Sequence, residues 1–482
     1  MLDVPAQALT ASADNLFARL PGDFYTKMPP EAVGVRPRLI HANAKAAALI
    51  GLDAKSFTDP AFIEIFSGHR PFPGGEPLAM VYSGHQFGAW AGQLGDGRAL
   101  LLAQVRNREG ELWDVQLKGA GKTPYSRFGD GRAVMRSTIR EYLCSEAMAG
   151  LSIHTTRALC IIATNEQVHR ETAEPGAVLA RLARSHTRFG HFEHFHHNGK
   201  PELVRALADH VIEEYMPEFS EDHAAWFGEV VKRTAHLMAQ WQAAGFAHGV
   251  MNTDNMSILG LTLDYGPFGF LDAYDPGFIC NHTDETGRYA FDMQPAIAHW
   301  NLRALALALS SLIPTEMLVM ALDTYEALFR NRYRAMMRAK LGFTHDAGRA
   351  DDQMIAELLT LMTKAGADYT LTFRGLSDPG EAWLTLFAPV QAEATTWLGK
   401  YRARMAGEGD RATAMNAVNP RFVLRNWVAE VAIRAVEDEG DIGPLDRILR
   451  LMQSPYDAHP GEEAFSQPPA PEYGGLCVSC SS

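Results

Sequence analysis

Apolar positions along this chain change period several times, and each change marks an element. Two largely apolar runs, Ala99 to Arg106 and Glu111 to Lys118, flank the turn-prone Asn107 to Gly110. That arrangement predicts a β-hairpin with a four-residue loop. Alternation puts Trp113, Val115 and Leu117 on one face of the second strand, and Leu112, Asp114, Gln116 and Lys118 on the other. Beyond a Gly-rich connection, Met135, Ile139, Leu143 and Ala147 recur at every fourth position. This predicts an amphipathic helix ending near Gly150, with Glu141 off its apolar stripe. A second helix is expected from about Glu221 to Ala244, stopped by Gly245, followed by two short strands around Ile258 and Leu263. After Ala290 the pattern is mostly helical, with helices expected near 294–311, 315–340, 352–365, 381–405 and 421–437. The first 75 or so residues read as an extended leader packed on a later domain, and the Pro-rich end from Ser466 reads as an extended tail.

Composition changes this picture little. With 482 residues, 47% hydrophobic and 21% charged, the chain is an ordinary globular one able to bury a sizeable core. Lys plus Arg number 44 against 57 Asp plus Glu, and the resulting charge of −13 argues against nucleic acid and anionic membranes as partners. The most apolar long window, Leu302 to Leu322, contains Arg303, Pro314 and Glu316, so a buried helix pair fits better than a membrane span. The start lacks a cationic stretch before an apolar core, and the five cysteines are too few and irregular for a secreted disulfide framework. A cytoplasmic, reducing location and a monomer are expected.

Several motifs then compete for attention. GAGKT at Gly119 to Thr123 lacks the earlier glycine of a phosphate-binding P-loop, having Gln116 there, and Pro124 follows at once. The run HFEHFHH, residues 191–197, has no second cluster to complete a zinc site, and Phe192 and Phe195 point to core packing. GQLGDGRA, residues 92–99, precedes the first hairpin strand, and a second GDGR at Gly129 to Arg132 opens the helix carrying Glu141. Glycine-rich turns of this kind let backbone amides approach phosphate oxygens.

The segment HGVMNTDN, residues 248–255, followed by LGLTLDYGPF, residues 259–268, resembles the catalytic core of protein kinases. Asn255 stands seven residues after His248, as a kinase metal-binding Asn does, and Asp264-Tyr265-Gly266 takes the place of D-F-G. Lys118 on a strand and Glu141 on the next helix match the ion pair that orients phosphates. Where kinases place the Asp that accepts the substrate proton, this chain has Val250, and Asp254 is the available replacement carboxylate.

The whole chain resembles the selenoprotein O family of protein adenylyltransferase pseudokinases, on YSGHQFG (82–88), GQLGDGRA, QLKGAGKTPYSRFGDGRAVMRS from Gln116, ARLARSHTRFGHFEHF from Ala180, HGVMNTDN, LDYGPF and the terminal CVSCSS. Cys480 stands in the region where some members carry selenocysteine, so the chain is similar to the cysteine-only members. The resemblance implies a two-lobed, protein-kinase-like α+β fold. Its parts would be an N-terminal extension (1–75), a nucleotide-binding N-lobe-like region (76–175), a helical C-lobe-like region with the metal site (176–465) and a tail with a CxxC pair (466–482). It implies transfer of AMP from ATP, bound in an orientation flipped relative to kinases, to Ser, Thr or Tyr hydroxyls of protein substrates, with release of pyrophosphate. Carried over by motif, Gly95, Gly97, Arg98, Lys118, Asp130, Gly131, Arg181 and Arg188 contact the nucleotide. Asn255 and Asp264 hold Mg²⁺ or Mn²⁺, with Asp264 also at the nucleotide; Lys118 and Glu141 serve catalysis as the ion pair and Asp254 as the proton acceptor. Three arginines with fork geometry suit a buried triphosphate, which one lysine could not neutralise. Two rivals stay open: a kinase-like phosphotransferase, and a non-catalytic nucleotide-binding scaffold. A reversible disulfide between Cys280 and Cys480, resolved by Cys477, is a further expectation that would make the activity redox-sensitive.

Overall fold

A computed structural model describes residues 13–470 and Tyr473. Its centre is an antiparallel sheet whose strands run in the order Tyr25–Lys27, Leu78–Met80, Ala99–Arg106, Leu112–Lys118, Ala173–Ala183, Arg157–His169 and Arg38–Ala42. The short strand Ala133–Val134 adds to Ala173–Ala183 off this path. The predicted hairpin forms as expected, with Ala99 opposite Lys118 and Arg106 opposite Leu112. Residues before 75 do more than drape over a later domain. They supply both edge strands of the sheet, and the helices Ala44–Ala48 and Pro60–Phe66 carry Ala46, Phe62 and Phe66 into its core.

Period-two alternation divides the sheet's two faces. Leu100, Leu102, Val115, Leu117, Val178 and Ala180 pack with those N-terminal helices, as the hairpin pattern requires. Leu101, Ala177 and Leu179 face the other way, onto Met135, Ile139, Leu143 and Ala147 of the helix Met135–Gly150. That helix is buried nearly all round, so Glu141, though off the apolar stripe, is only 2% exposed.

The second half of the chain is helical. His223–Ala244 begins where the Asp222 carboxylate accepts from the Ala225 N–H at 2.9 Å and ends at Gly245, whose φ of +69° is the left-handed cap that glycine adopts without strain. The expected pair of strands around Ile258 and Leu263 is absent. Gly260, at φ +72°, reverses the chain between them, and Ser257 and Thr262 make isolated bridges with Arg188, Thr155 and Met256. The strands of this region are instead Phe246–Ala247 and Gly269–Phe270, paired with each other.

Several expected helices are divided. The one over 315–340 breaks at Thr324 into Thr315–Asp323 and Tyr325–Lys340. The one over 381–405 breaks at Ala388–Val390, where Pro389 cannot donate to the ladder. The last begins only at Asn426 and closes in a π turn at Ala435–Glu439. The expectation of a buried pair across Leu302–Leu322 holds for Leu302 and Leu305 but not for Met317, Val319 and Met320, which are exposed. Among the described residues no helix is long and apolar enough to cross a membrane. Cys280 is buried against the Ala247 carbonyl; Cys477 and Cys480, and with them the expected disulfide, lie outside the described residues.

Candidate active site

A cleft of about 780 Å³ opens between the sheet and the segment from Val250 to Pro267. Of the twelve residues nominated from the sequence, all but Glu141 line it. Gly95, Gly97 and Arg98 enter from the turn before the hairpin, and Lys118 from the end of its second strand. Arg181 comes from the neighbouring strand and Arg188 from the residue before the helix Phe189–His197. Asp130 and Gly131 form the opposite lip, while Asp254, Asn255 and Asp264 form the floor.

Glu141 lies just beneath the cleft, where its Oε2 accepts from the Lys118 ammonium and its Oε1 from Arg181 at 2.8 Å. Burial would raise its pKa, but the charges of Lys118 and Arg181 outweigh that and hold the carboxyl below its ordinary value. Arg181 then reaches Asp264 Oδ1 at 2.6 Å and Gln116 Oε1 at 2.8 Å. Arg188 donates to Asp264 Oδ2 and, at 2.6 Å, to the Asp254 carbonyl, with its guanidinium 5.0 Å from the Tyr82 ring centroid. A single network of two arginines, one lysine and two carboxylates thus joins sheet, helix and floor. Asp264 itself sits at φ +53°, a backbone conformation a non-glycine residue adopts at a cost. The two arginines meet its carboxylate and keep it ionised well below the usual range, despite burial.

Because Glu141 is the carboxylate of Lys118 and one of the two on Arg181, we expect Glu141→Gln to destabilise the fold on the order of 3 kcal/mol and Lys118→Met about 1 kcal/mol. In the double variant the loss should stay close to that of Glu141→Gln alone, since the lysine has no partner left to lose. Denaturant melts of the three variants check this, and summed losses would show that the pair does not act as a unit.

Asp254 is held differently. Gln86 donates to its Oδ2 at 3.3 Å, whereas its Oδ1 is buried with no hydrogen-bond partner. Burial pushes this carboxyl up to about 6, opposed by Arg188 and the Gln86 hydrogen bond. Val250 also lines the cleft and offers no group that could take a proton.

Asn255 donates its side-chain N–H to the Val250 carbonyl at 3.0 Å, which leaves its amide oxygen as the coordinating atom. Amide and carboxylate oxygens are the hard donors that Mg²⁺ or Mn²⁺ takes. Among the described residues no group of three or more His, Cys, Asp or Glu could hold a metal ion. Two protein oxygens completed by substrate phosphates and water is the arrangement Mg²⁺ favours. The residues present therefore fit the ion, provided Asp264 shares its carboxylate between the ion and the two arginines.

Gly131 has φ +74°, and a Cβ there would stand 2.2 Å from the Gly121 carbonyl carbon, so only glycine closes this lip. Asp130 is exposed at the same lip and accepts from both Arg170 terminal nitrogens, at 2.7 and 3.2 Å. Arg170, Asp96, Tyr82 and Gln86 also line the cleft, and sequence reasoning passed over all four. Asp96 and Gln86 stood inside quoted motifs, GQLGDGRA and YSGHQFG, and Arg170 had no local signal. Burial raises Asp96 to about 6 as well, and its carboxylate accepts from the Met80 N–H at 3.0 Å. The histidine run proves structural in part: Phe192 and Phe195 are core residues, as predicted, and Ser83 bonds His194 at 2.8 Å.

Residues 7–453 match the family model described as protein adenylyltransferase SelO. Proteins named protein nucleotidyltransferase YdiU are similar over almost the whole chain. That of Bordetella avium (strain 197N) is 52% identical, over 97% of this chain and 98% of its own length. That of Cronobacter sakazakii is 51% identical, over 96% and 97%, and that of Myxococcus xanthus 49% identical, over 97% and 98%. With the family model spanning most of the sequence and relatives at about half identity end to end, this chain belongs to the protein adenylyltransferase SelO family.

Proposed function

We propose that the cleft binds ATP and passes its AMP to a hydroxyl of a protein substrate. The observation that carries this reading is Asp254, a buried carboxylate at the cleft floor with one oxygen held by Gln86 and the other unpartnered. In the proposed step the acceptor hydroxyl oxygen forms a bond to the α-phosphorus. The bond from that phosphorus to the oxygen bridging to the β-phosphate breaks, pyrophosphate leaves with the electron pair, and the hydroxyl proton passes to Asp254.

Arg98, Lys118, Arg181 and Arg188 neutralise the polyphosphate, and the amides around Gly95, Gly97 and Gly131 let its oxygens approach the backbone. Asp130 orients Arg170 at the lip. Asn255 and Asp264 would hold Mg²⁺ or Mn²⁺, whose chemistry there is to offset phosphate charge as a Lewis acid. Glu141 fixes Lys118 and Arg181 in place, so its role is positioning.

The same reading treats the molecule as two lobes arranged like a protein kinase. Residues 76–175 act as the nucleotide-holding lobe, 176–465 as the helical lobe with the metal-binding pair, 1–75 as an extension and 466–482 as a tail. It works in the cytoplasm on protein substrates bearing Ser, Thr or Tyr hydroxyls. Incubation with α-labelled and, separately, γ-labelled ATP tests the reaction: label from the α position should become attached to protein and label from the γ position should leave as pyrophosphate. Transfer of γ-label alone would make the enzyme a phosphotransferase and overturn the proposal.

A further inference from the structure

Just outside the cleft, the hairpin Ser83–Gln86 and Ala89–Gln93 turns back at Phe87 and Gly88. Phe87 is 40% exposed although its backbone has φ +49°. It is held there because its N–H donates to Asn252 Oδ1 at 3.1 Å and to Tyr289 Oη at 3.0 Å, while Tyr289 donates to the same Asn252 oxygen at 2.6 Å. Its ring packs against Tyr289, with centroids 5.0 Å apart, and its exposed remainder borders the cleft that holds Asp254, fixed there in a costly backbone conformation.

The partner of Phe87's neighbour is Arg288. A Cβ on Gly88 would lie 3.0 Å from the Arg288 guanidinium carbon, so that residue and the hairpin tip are in contact. Arg288 is half-buried, lies 4.9 Å over the Trp300 ring and 5.8 Å from that of Tyr289, and has a buried Nε with no hydrogen-bond partner. Of the arginines of the cleft and its lip, Arg132 has Glu31, Arg170 has Asp130, and Arg181 and Arg188 share Asp264, whereas Arg98, which faces the nucleotide in the function proposed above, has no carboxylate within ion-pairing distance among the described residues. Among the described residues Arg288, like Arg98, has no carboxylate within ion-pairing distance, and its guanidinium is held by aromatic rings instead.

We infer that Arg288 is a specificity-determining residue that recognises an acidic side chain, Asp or Glu, close to the acceptor hydroxyl of the protein substrate, with Phe87 supporting the intervening peptide. The placement follows from the hairpin. Gln86 bonds Asp254, and Gly88, two residues on at the same turn, meets Arg288. Asp254 and Arg288 thus face neighbouring positions of one hairpin tip, so a substrate whose hydroxyl reaches Asp254 brings the residues a few positions away toward Arg288. A guanidinium held over an indole has its charge in place for a carboxylate, which it can meet with two parallel hydrogen bonds. This inference rests on the function proposed above.

The test is AMP transfer to a set of synthetic peptides with one Ser, Thr or Tyr and with Glu, Ala or Lys placed one, two or three residues away. The unmodified enzyme should prefer Glu over Lys about tenfold in kcat/KM at one of these positions. Arg288→Glu should invert that order, and Arg288→Lys should keep it with a smaller ratio, while both bind ATP within about twofold of the parent in a fluorescence titration. AMP transfer indifferent to the flanking charge, or an Arg288→Glu enzyme with the parent's preference at unchanged ATP affinity, would overturn the inference but leave the proposed function standing. Absence of transfer by the parent enzyme to every peptide and to every protein in a mixed extract would overturn the proposed function, and this inference with it.

Discussion

Asp264→Asn is expected to lower AMP transfer on the order of 10³-fold, because one carboxylate does two jobs there. It receives Arg181 at 2.6 Å on one oxygen and Arg188 on the other, and it is the charged member of the pair proposed to hold the metal. Asparagine keeps the volume and one acceptor oxygen but removes the charge and turns a donor toward one of the arginines. Both guanidiniums are about 2% exposed, so neither can turn to solvent for compensation. Arg181 keeps Glu141, whereas Arg188 keeps only a carbonyl, and the fold should lose about 3 kcal/mol. ATP restores negative charge to the same place. The variant should therefore gain more thermal stability from ATP than the parent does, relative to its own nucleotide-free melt, even though it turns over poorly. Thermal melts with and without ATP, beside single-turnover rates, check both parts; a variant with parental rate would remove Asp264 from the site.

Asp254→Asn should cost about 10²- to 10⁴-fold in kcat, with ATP affinity nearly unchanged, as expected of a group that acts on the acceptor hydroxyl and not on the nucleotide. The parent enzyme should also show an acid limb in kcat/KM. Burial holds Asp254 at about 6, so its ionised, proton-accepting form prevails above that pH and is lost as pH falls through it. Asp96 is raised to about the same value and lines the same cleft, so the two must be separated. In Asp254→Asn the limb should vanish, and in Asp96→Asn it should persist. The reverse result would transfer the assignment to Asp96.

Most of the cleft was legible in the residues because its parts are local. A glycine-rich turn before a strand, a lysine at the strand's end, a helix with an off-stripe glutamate and a short segment with Asn and Asp at fixed spacing each leave a trace within about ten positions of sequence. Lys118 and Glu141 are 23 residues apart, yet the strand and helix that present them were both visible from periodicity, and they meet as expected. The helix His223–Ala244 and its glycine stop were visible for the same reason.

Where local patterning is weak, the reading failed. Strands were expected around Ile258 and Leu263 from β-branched and apolar residues, but Gly260 reverses the chain there, and the flanking residues take single bridges from Arg188 and Thr155 in place of a ladder. The expected 315–340 helix breaks at Thr324 into two parts that both pack on His223–Ala244, the first also on Gln294–Ala308 and the second also on Arg349–Ala365, and no single-helix periodicity records such shared packing.

By itself, then, the amino-acid order determined the hairpin, the Glu141 helix, the glycine turns and the membership of a family, since each depends on spacings of a few residues or on motifs read as strings. Only the tertiary structure decided which charges share a carboxylate, that Gln86 holds Asp254 across 168 positions, that Asp96 is buried at the same cleft, and that Arg288 sits over Trp300 with its Nε unpaired. The physical reason is that ion pairing and desolvation depend on distances through space and on exclusion of water. Both are set by how the sheet and the helices pack, and neither leaves a periodic signature along the chain.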